Sequence, residues 1–216
     1  MAVVMSALCA CPVLAADWKS TGDLSLSSRA ERNPALRADQ SDTLLALSLE
    51  GRASLARNTE TTSLIVRPSA SLLRNPGHSD LDRDQQALQA EYEANGERSS
   101  LALSGAAARE STLTTELGTT GRTDVNRIRQ SLSLSLSPSW RLTERVQAGA
   151  SAGYQNSQYP GARAVGLYGS RYSTVSANLQ YGITDRLNAS LIGSAGRFDS
   201  DRFGGSSDNQ LSLIHI

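Results

Sequence analysis

The segment from Arg127 to Trp140 constrains the fold of this chain most strongly, because its apolar and polar residues alternate one by one. A helix would scatter these residues around its axis, whereas a strand sends successive side chains to opposite sides. The segment therefore predicts a β-strand with one apolar face and one face of serines and arginines. The apolar positions are Ile128, Leu132, Leu134, Leu136 and Trp140.

The same two-residue alternation recurs along the chain and predicts an all-β fold. Several segments run to about 11–14 residues, which exceeds the roughly 5–6 residues of a usual soluble strand and suffices to cross a bilayer at a tilt. We count nine such segments and the start of a tenth, whose apolar positions begin at Leu24, Leu45, Leu64, Leu88, Leu101, Ile128, Val146, Val175, Leu187 and Leu211.

The connections between these segments alternate in length. Short ones fall at 57–60, 95–96, 141–144 and 184–186, and long polar ones at 30–42, 75–84, 111–126, 158–171 and 199–208. Barrels of the bacterial outer membrane combine short periplasmic turns with long outer connections. The sequence therefore predicts an antiparallel up-and-down transmembrane β-barrel, of which about ten strands are present.

Composition argues against other classes of protein. No run of about 18 apolar residues follows the N-terminal segment, so a membrane-spanning helix is not expected. The formal net charge is zero and Lys19 is the only lysine, which gives no electrostatic signal for a nucleic acid partner. A soluble all-β protein remains the alternative, because some of the apolar stripes are rich in alanine and glycine.

The N-terminal segment is apolar from Met1 to Ala16 except for Ser6, and small residues precede Asp17. This pattern predicts a secretory signal peptide over residues 1–16, followed by the barrel over residues 17–216. A lipoprotein signal around Cys9 and Cys11 and a buried apolar strand or helix are the alternatives. Both cysteines of the chain lie in this segment, so the processed chain would contain no thiol.

At the other end, the alternating segment from Asn209 to Ile216 stops in mid-strand. An open sheet edge has no hydrogen-bonding partners in lipid. We therefore expect the barrel to be incomplete at its C-terminus, and the last residues, Leu-Ile-His-Ile, need not be native sequence.

Two sets of residues follow from the barrel prediction. If the apolar stripes face lipid, the residues between them face the lumen, and aromatic residues near strand ends form girdles at the two membrane interfaces. The lumen-lining candidates are Glu50, Arg52, Arg67, Glu91, Glu93, Arg129 and Gln147. The interface candidates are Tyr92, Trp140 and Tyr181 at the periplasmic side and Tyr154, Tyr172 and Phe198 at the outer side.

Catalytic and metal-binding motifs are not expected here. The chain contains only two histidines, His78 and His215, and no nucleophile elbow or phosphate-binding loop. Asp80, Asp82 and Asp84 are spaced like the start of a calcium loop, but Gln85 replaces the required glycine. We therefore expect a solvated acidic loop, no cofactor and no enzymatic activity. A barrel hydrolase that uses His78 is a minor alternative.

Three motifs carry a resemblance to a known family. They are Arg67-Pro68, the stretch LSPSWRLTER at 136–145, and YGITDRL at 181–187, where a strand ends near an aromatic residue and a Thr-Glu-Arg or Thr-Asp-Arg turn follows. From Trp18 to Asn209 the chain resembles the β-barrel porins of proteobacteria, some of which are encoded near exopolysaccharide genes. The terminal aromatic strand of that family is missing here.

The resemblance implies a porin-like passive channel, or an export-associated barrel, in the outer membrane of a Gram-negative bacterium. It implies outer-membrane lipid and the barrel assembly machinery as partners, with a saccharide or an export system as a further one, and it supplies no catalytic residues. A non-conducting structural or adhesive barrel that acts through its outer loops is the alternative from another functional class.

Overall fold

In a computed structural model the chain forms one antiparallel sheet whose strands pair in chain order. The structure describes residues 3–8, 18–32, 43–112, 126–184, 187–202 and 205–215. The strands are β1 (Val3–Leu8), β2 (Trp18–Arg32), β3 (Thr43–Asn58), β4 (Thr62–Arg74), β5 (Arg83–Asn95), β6 (Ser99–Ser111), β7 (Ile128–Arg141), β8 (Val146–Gln158), β9 (Ser170–Thr184), β10 (Leu187–Ser200) and β11 (Gly205–His215). The ten alternating segments correspond to β2–β11, so the predicted all-β, up-and-down fold is confirmed.

The first strand, β1, lies within the predicted signal peptide. It pairs with β2, with Val3 opposite Ser28 and Leu8 opposite Asp23. A strand here was one of the alternatives for this segment. Pairing in the unprocessed chain does not bear on cleavage after residue 16, so the signal peptide stays a prediction.

The antiparallel register keeps the alternation in step from strand to strand. Leu49 of β3 lies opposite Leu26 of β2 and Leu72 of β4. Directly opposite residues in a sheet point to the same side, so the apolar positions of neighbouring strands add up. The sheet therefore has an apolar face, which carries these leucines, and a polar face, which carries the residues between them.

The described part of the molecule has no conventional hydrophobic core. Ala46 and Ala162 are its only buried apolar residues, while leucines of the apolar face such as Leu26, Leu134 and Leu191 are about half exposed. The accessible surface is 15328 Å², against about 9,600 Å² for a compact protein of this mass. A single-layer sheet explains both observations, because nothing covers either face.

Over β3–β7, the polar face is the more enclosed one in the halves of the strands that adjoin the long connections. In β7, Arg129, Ser131 and Ser133 are half-buried, whereas Leu132 and Leu134 between them are exposed. The same contrast occurs in the corresponding half of β4. Side chains crowd together on the concave side of a curved sheet and spread apart on its convex side, so the sheet curls around its polar face there.

Two connections differ from the prediction. The β5–β6 turn comprises residues 96–98 rather than Asn95-Gly96, and the Gly96 amide donates to the Ser99 carbonyl at 2.7 Å. Gly96 is not among the glycines with positive φ, so the turn is not the two-residue Asn-Gly type. The β10–β11 connection shrinks from the predicted 199–208 to 201–204, because strand pairing continues to Ser200 and Gly205.

The helical elements of the described chain are short. Single 3₁₀ turns lie at Ser79–Leu81 and Arg163–Val165, both within long connections. No helix in the described ranges is long and apolar enough to cross a membrane.

The Leu-Thr-Glu-Arg turn between β7 and β8 is closed by the side chain of Thr143. Its hydroxyl accepts hydrogen bonds from the backbone amides of Val146 at 3.0 Å and Arg145 at 3.2 Å. The Arg145 carbonyl then accepts a bond from the Gly182 amide of β9 at 2.8 Å. The motif that carried the family resemblance therefore has a structural role, since Thr143 closes the turn and the Arg145 carbonyl links it to the next strand.

We predict that Thr143→Val lowers the free energy of unfolding by about 1 kcal/mol, because two amides lose their acceptor. Denaturant unfolding of the protein in detergent measures the change. Thr174→Val is the matched control, since the Thr174 hydroxyl on the polar face forms no hydrogen bond with a described residue. Equal stability of the two variants would contradict the role given to Thr143.

Candidate functional site

The polar face gathers all the charged and amide residues that the sequence suggested as lumen-lining. A chain of opposite pairs connects them through β3–β9, so they share one side of the sheet. The pairs are Glu50 with Ser71, Arg52 with Ser69, Arg67 with Gln89, Glu91 with Ser104, Glu93 with Ala102, Arg129 with Glu110, and Gln147 with Gln180. That this side is a lumen stays a prediction at this point.

Charge is concentrated on the β2–β5 part of the polar face. Arg67 Nη1 donates to Glu91 Oε1 at 2.9 Å, and Arg52 Nη2 donates to Glu50 Oε2 at 3.2 Å. Their side chains are 43–66% exposed, so each pair contributes at most about 1 kcal/mol in water. Their more important effect is to fix alternating positive and negative groups along one wall.

The β6–β9 part of the polar face is different in character, because hydroxyl and amide groups predominate there, with Glu110, Arg129 and Arg141 as its charged members. Three opposite serine pairs bridge neighbouring strands: Ser100 with Ser139 at 2.7 Å, Ser104 with Ser135 at 2.7 Å, and Ser151 with Ser176 at 2.8 Å. A depression of about 570 Å³ lies beside them at the short-turn end of β6–β9. The side chains of this part of the face can hydrogen-bond with water, and few of them are charged.

Aromatic residues of the apolar face gather at the short turns. Tyr92, Trp140 and Tyr181 belong to the apolar face, opposite Leu103, Ala148 and Val146 respectively. Trp18 joins them at the start of β2, where the Arg57 guanidinium lies 5.9 Å from its ring centre. The sequence analysis missed Trp18, although its position next to the predicted cleavage site at the start of a strand is a usable signal.

At the long-connection end the structure divides the predicted aromatics. Tyr154 lies on the apolar face opposite Leu134. Tyr172 and Phe198 lie opposite each other on the polar face, in step with the pair of Ser170 and Ser200. The structure therefore separates these two residues from the other four interface candidates, because the prediction used only their distance from the strand ends and ignored which side of the strand they occupy. Their place at a membrane interface stays a prediction.

The long connections are tied together by specific hydrogen bonds. The Asn126 amide group donates to the carbonyls of Asp80 and Asp82 at 2.9 and 3.0 Å, and its oxygen accepts from Ser111 at 2.8 Å. Asn75, which is 8% exposed, donates to the Leu81 carbonyl at 3.0 Å. These bonds join the β4–β5 connection to the end of the β6–β7 connection.

A second clasp joins the β8–β9 connection to the end of β10. Arg163 Nη2 lies 3.4 Å from Asp201 Oδ2, and the Asp201 amide donates to the Gly169 carbonyl at 3.0 Å. The Arg202 guanidinium lies 6.0 Å from the ring centre of Tyr168. Side-chain and backbone contacts therefore hold the described parts of these connections together at one end of the sheet.

The residues considered for catalysis or calcium binding are used in other ways. His78 is exposed in the β4–β5 connection and forms no ion pair with a described residue. Asp82 accepts from the Asn75 amide at 2.8 Å, Asp84 pairs with Arg74, and Glu91 lies on the polar face with Arg67. Within the described residues, no three histidine, cysteine or acidic side chains could hold a metal ion.

Comparisons with known proteins agree with this architecture. No family model and no curated protein matches the sequence. The chain is similar to the outer membrane channel DcaP of Acinetobacter baumannii, at 9% identity and a TM-score of 0.55, over 98% of this chain and 60% of that one. A solved porin is matched at 12% identity and a TM-score of 0.42, with the same coverages.

The chain therefore spans less than two thirds of the length of the solved structures that it matches. At this level of identity, the likeness to DcaP bears on the fold alone. The chain shares the antiparallel, up-and-down β-barrel fold of that structure.

Proposed function

We propose that this chain forms the wall of an outer-membrane β-barrel whose polar face lines a passage for hydrophilic solutes. The observation that carries the proposal is the two-faced sheet. One uncovered face is mainly apolar and the other is mainly polar, and a barrel in a membrane gives each face a suitable solvent. The likeness of the fold to that of an outer membrane channel supports the proposal, as does the resemblance of the turn motifs to barrel porins.

The height of the apolar face fits a membrane. In β3 the apolar side runs from Leu45 to Leu55, ten residue steps that end before Arg57. At about 3.3 Å per step and a tilt of about 40°, these steps span about 25 Å, the height of the apolar band of outer-membrane barrels. Trp18 and Arg57 then lie at the periplasmic interface, where amphipathic aromatic residues are favoured.

The polar face suits passage rather than catalysis. Ion pairs such as Arg67 with Glu91 leave both side chains close to half exposed, and the serine pairs present hydroxyl groups. Such a surface offers weak, exchangeable contacts, which let a solute enter and leave. We propose a passive channel with no enzymatic activity, located in the outer membrane and inserted by the barrel assembly machinery.

The finer proposal concerns what passes. The resemblance to barrel porins encoded near exopolysaccharide genes favours a saccharide, taken up or exported. The hydroxyl- and amide-rich part of the polar face over β6–β9 is compatible with such a solute.

A second candidate is a non-conducting barrel that acts through its outer connections. The clasps through Asn126 and through Arg163 with Asp201 favour it, because they preorganise a surface at one end of the sheet. Planar-bilayer recording of the complete gene product separates the two candidates. Stepwise open-channel currents support the channel, and a folded, heat-modifiable protein without currents supports the structural barrel.

The first prediction tests which face meets lipid. Leu134→Arg should reduce the folded fraction in lipid vesicles strongly, because an arginine on the lipid face costs about 2–4 kcal/mol near the bilayer midplane. Ser133→Arg, one residue away on the polar face, should change the free energy of folding by less than about 1 kcal/mol, and should therefore reduce the folded fraction much less. The folded fraction is read from migration on unheated and heated gels.

Equal losses in the two variants would show that the faces do not differ in environment. A larger loss for Ser133→Arg would reverse the proposed orientation of the sheet.

The second prediction tests passage along the polar face. Glu93 forms no ion pair with a described residue, so Glu93→Arg reverses an uncompensated charge on the wall. We expect the permeability ratio of K⁺ to Cl⁻ to fall at least about twofold. Reversal potentials in a KCl gradient measure it.

Glu97→Arg, the same substitution in the β5–β6 turn, is the control and should have a smaller effect. An unchanged ratio for Glu93→Arg, with open currents present, would show that ions do not pass this face.

A further inference from the structure

Tyr172 and Phe198 break the chemical pattern of the polar face. They lie directly opposite each other on β9 and β10, near the long connections, with 42% and 40% of their surfaces exposed. Every second position around them carries a polar or small residue, such as Ser170, Thr174 and Ser200. Two adjacent aromatic rings left open to water are unfavourable unless something covers them in use.

The ring of Tyr172 lies along the wall rather than standing out from it. A Cβ atom on Gly196, the polar-face position diagonal to Tyr172, would lie 3.2 Å from the tyrosine Oη and 3.6 Å from its Cε2. The ring therefore covers the glycine backbone with one side. The exposed remainder of the tyrosine lies next to Phe198, the residue directly opposite it.

Polar groups suited to hydrogen bonding surround this surface. Gln155 of β8 lies directly opposite Tyr172, and Ser157 lies opposite Ser170. Arg129 Nη2 lies 3.4 Å from Ser157 Oγ, while the buried Arg129 Nε has no hydrogen-bond partner. Gln155 and Ser170 therefore present hydrogen-bonding groups next to the exposed aromatic pair, and a ligand with both apolar and polar groups would suit this surface.

We propose that Tyr172 and Phe198 form a stacking platform for a sugar ring, with Gln155 and Ser170 positioned to bind its hydroxyl groups. A pyranose ring has C–H groups on its faces, which pack on an aromatic ring, and hydroxyls around its edge, which need donors and acceptors. A purely apolar ligand would leave the polar groups unpaired, and an ion would gain little from two aromatic rings.

The neighbouring wall fits a neutral saccharide. From the platform toward the short turns, the polar face of β8 and β9 carries small, hydroxyl and amide residues, among them Ser151, Ser176 and Asn178. Most of the charged residues of the face lie on β2–β7, away from β8 and β9. The platform depends on the proposed function, because a lumen is what gives a saccharide access to this side of the sheet.

The test measures block of the channel by a linear neutral gluco-oligosaccharide of six units, added to the complete gene product in a planar bilayer. We expect concentration-dependent interruption of the current. Tyr172→Ala combined with Phe198→Ala should weaken the blocking constant about tenfold or more, with the salt conductance changed by less than about twofold.

Two further variants separate stacking from folding. Tyr172→Phe keeps the ring and should keep the blocking constant within about threefold. Tyr181→Ala removes an aromatic from the same strand but from the apolar face, and should leave block unchanged. Equal block by wild type and the double alanine variant would overturn the platform.

Calorimetric titration of the same oligosaccharide into the detergent-folded protein distinguishes the two proposals. Currents without block and without heat of binding would refute the platform and leave the channel intact. Binding that the double alanine variant loses, in a protein that conducts no ions, would support the platform and refute the channel.

Discussion

The structure depends on the parity of the strand register. Each hairpin pairs apolar positions with apolar positions, as Leu26, Leu49 and Leu72 show across β2–β4. A slip of one residue in any pair would move all the side chains of that strand to the other face. Because the sheet is a single layer, no second layer would bury apolar side chains that a slip had moved to the polar face. The separation of an apolar from a polar face therefore requires the correct register at each hairpin.

The turns maintain that register. Thr143 fixes the β7–β8 turn with its hydroxyl, and the Thr59 amide and hydroxyl both bond to residue 62 at the β3–β4 turn. These short connections lie at one end of the sheet and the clasped long connections lie at the other. The two ends thus differ in size and in chemistry, as an asymmetric membrane barrel requires.

The sequence determined the strands and their faces well, because period-two alternation is a local signal and each face is uniform. It did not predict the placement of Tyr172 and Phe198, since their distance from a strand end was considered without their parity. The length of the β5–β6 turn was predicted wrongly for a different reason. An Asn-Gly pair favours a two-residue turn, but the pairing of β5 with β6 leaves a three-residue turn here.

Other features could not be predicted from one sequence. The diagonal contact of Tyr172 with Gly196 and the unpartnered Nε of Arg129 depend on which residues of different strands become neighbours. The same holds for the concentration of charge on one part of the polar face, because it depends on the strand order around the sheet. Pattern reasoning supplied the seven polar candidates, and topology supplied their arrangement.

The central claim, that the apolar face meets lipid and the polar face meets water, is tested most directly by site-specific quenching along β7. The experiment uses the complete gene product with Cys9 and Cys11 replaced by serine. Four variants each carry one cysteine, at position 131, 132, 133 or 134, labelled with a small fluorophore, and each is folded into vesicles. We predict that nitroxide lipids quench the labels at 132 and 134, while a water-soluble quencher acts on those at 131 and 133. Quenching without this two-residue alternation would contradict the account.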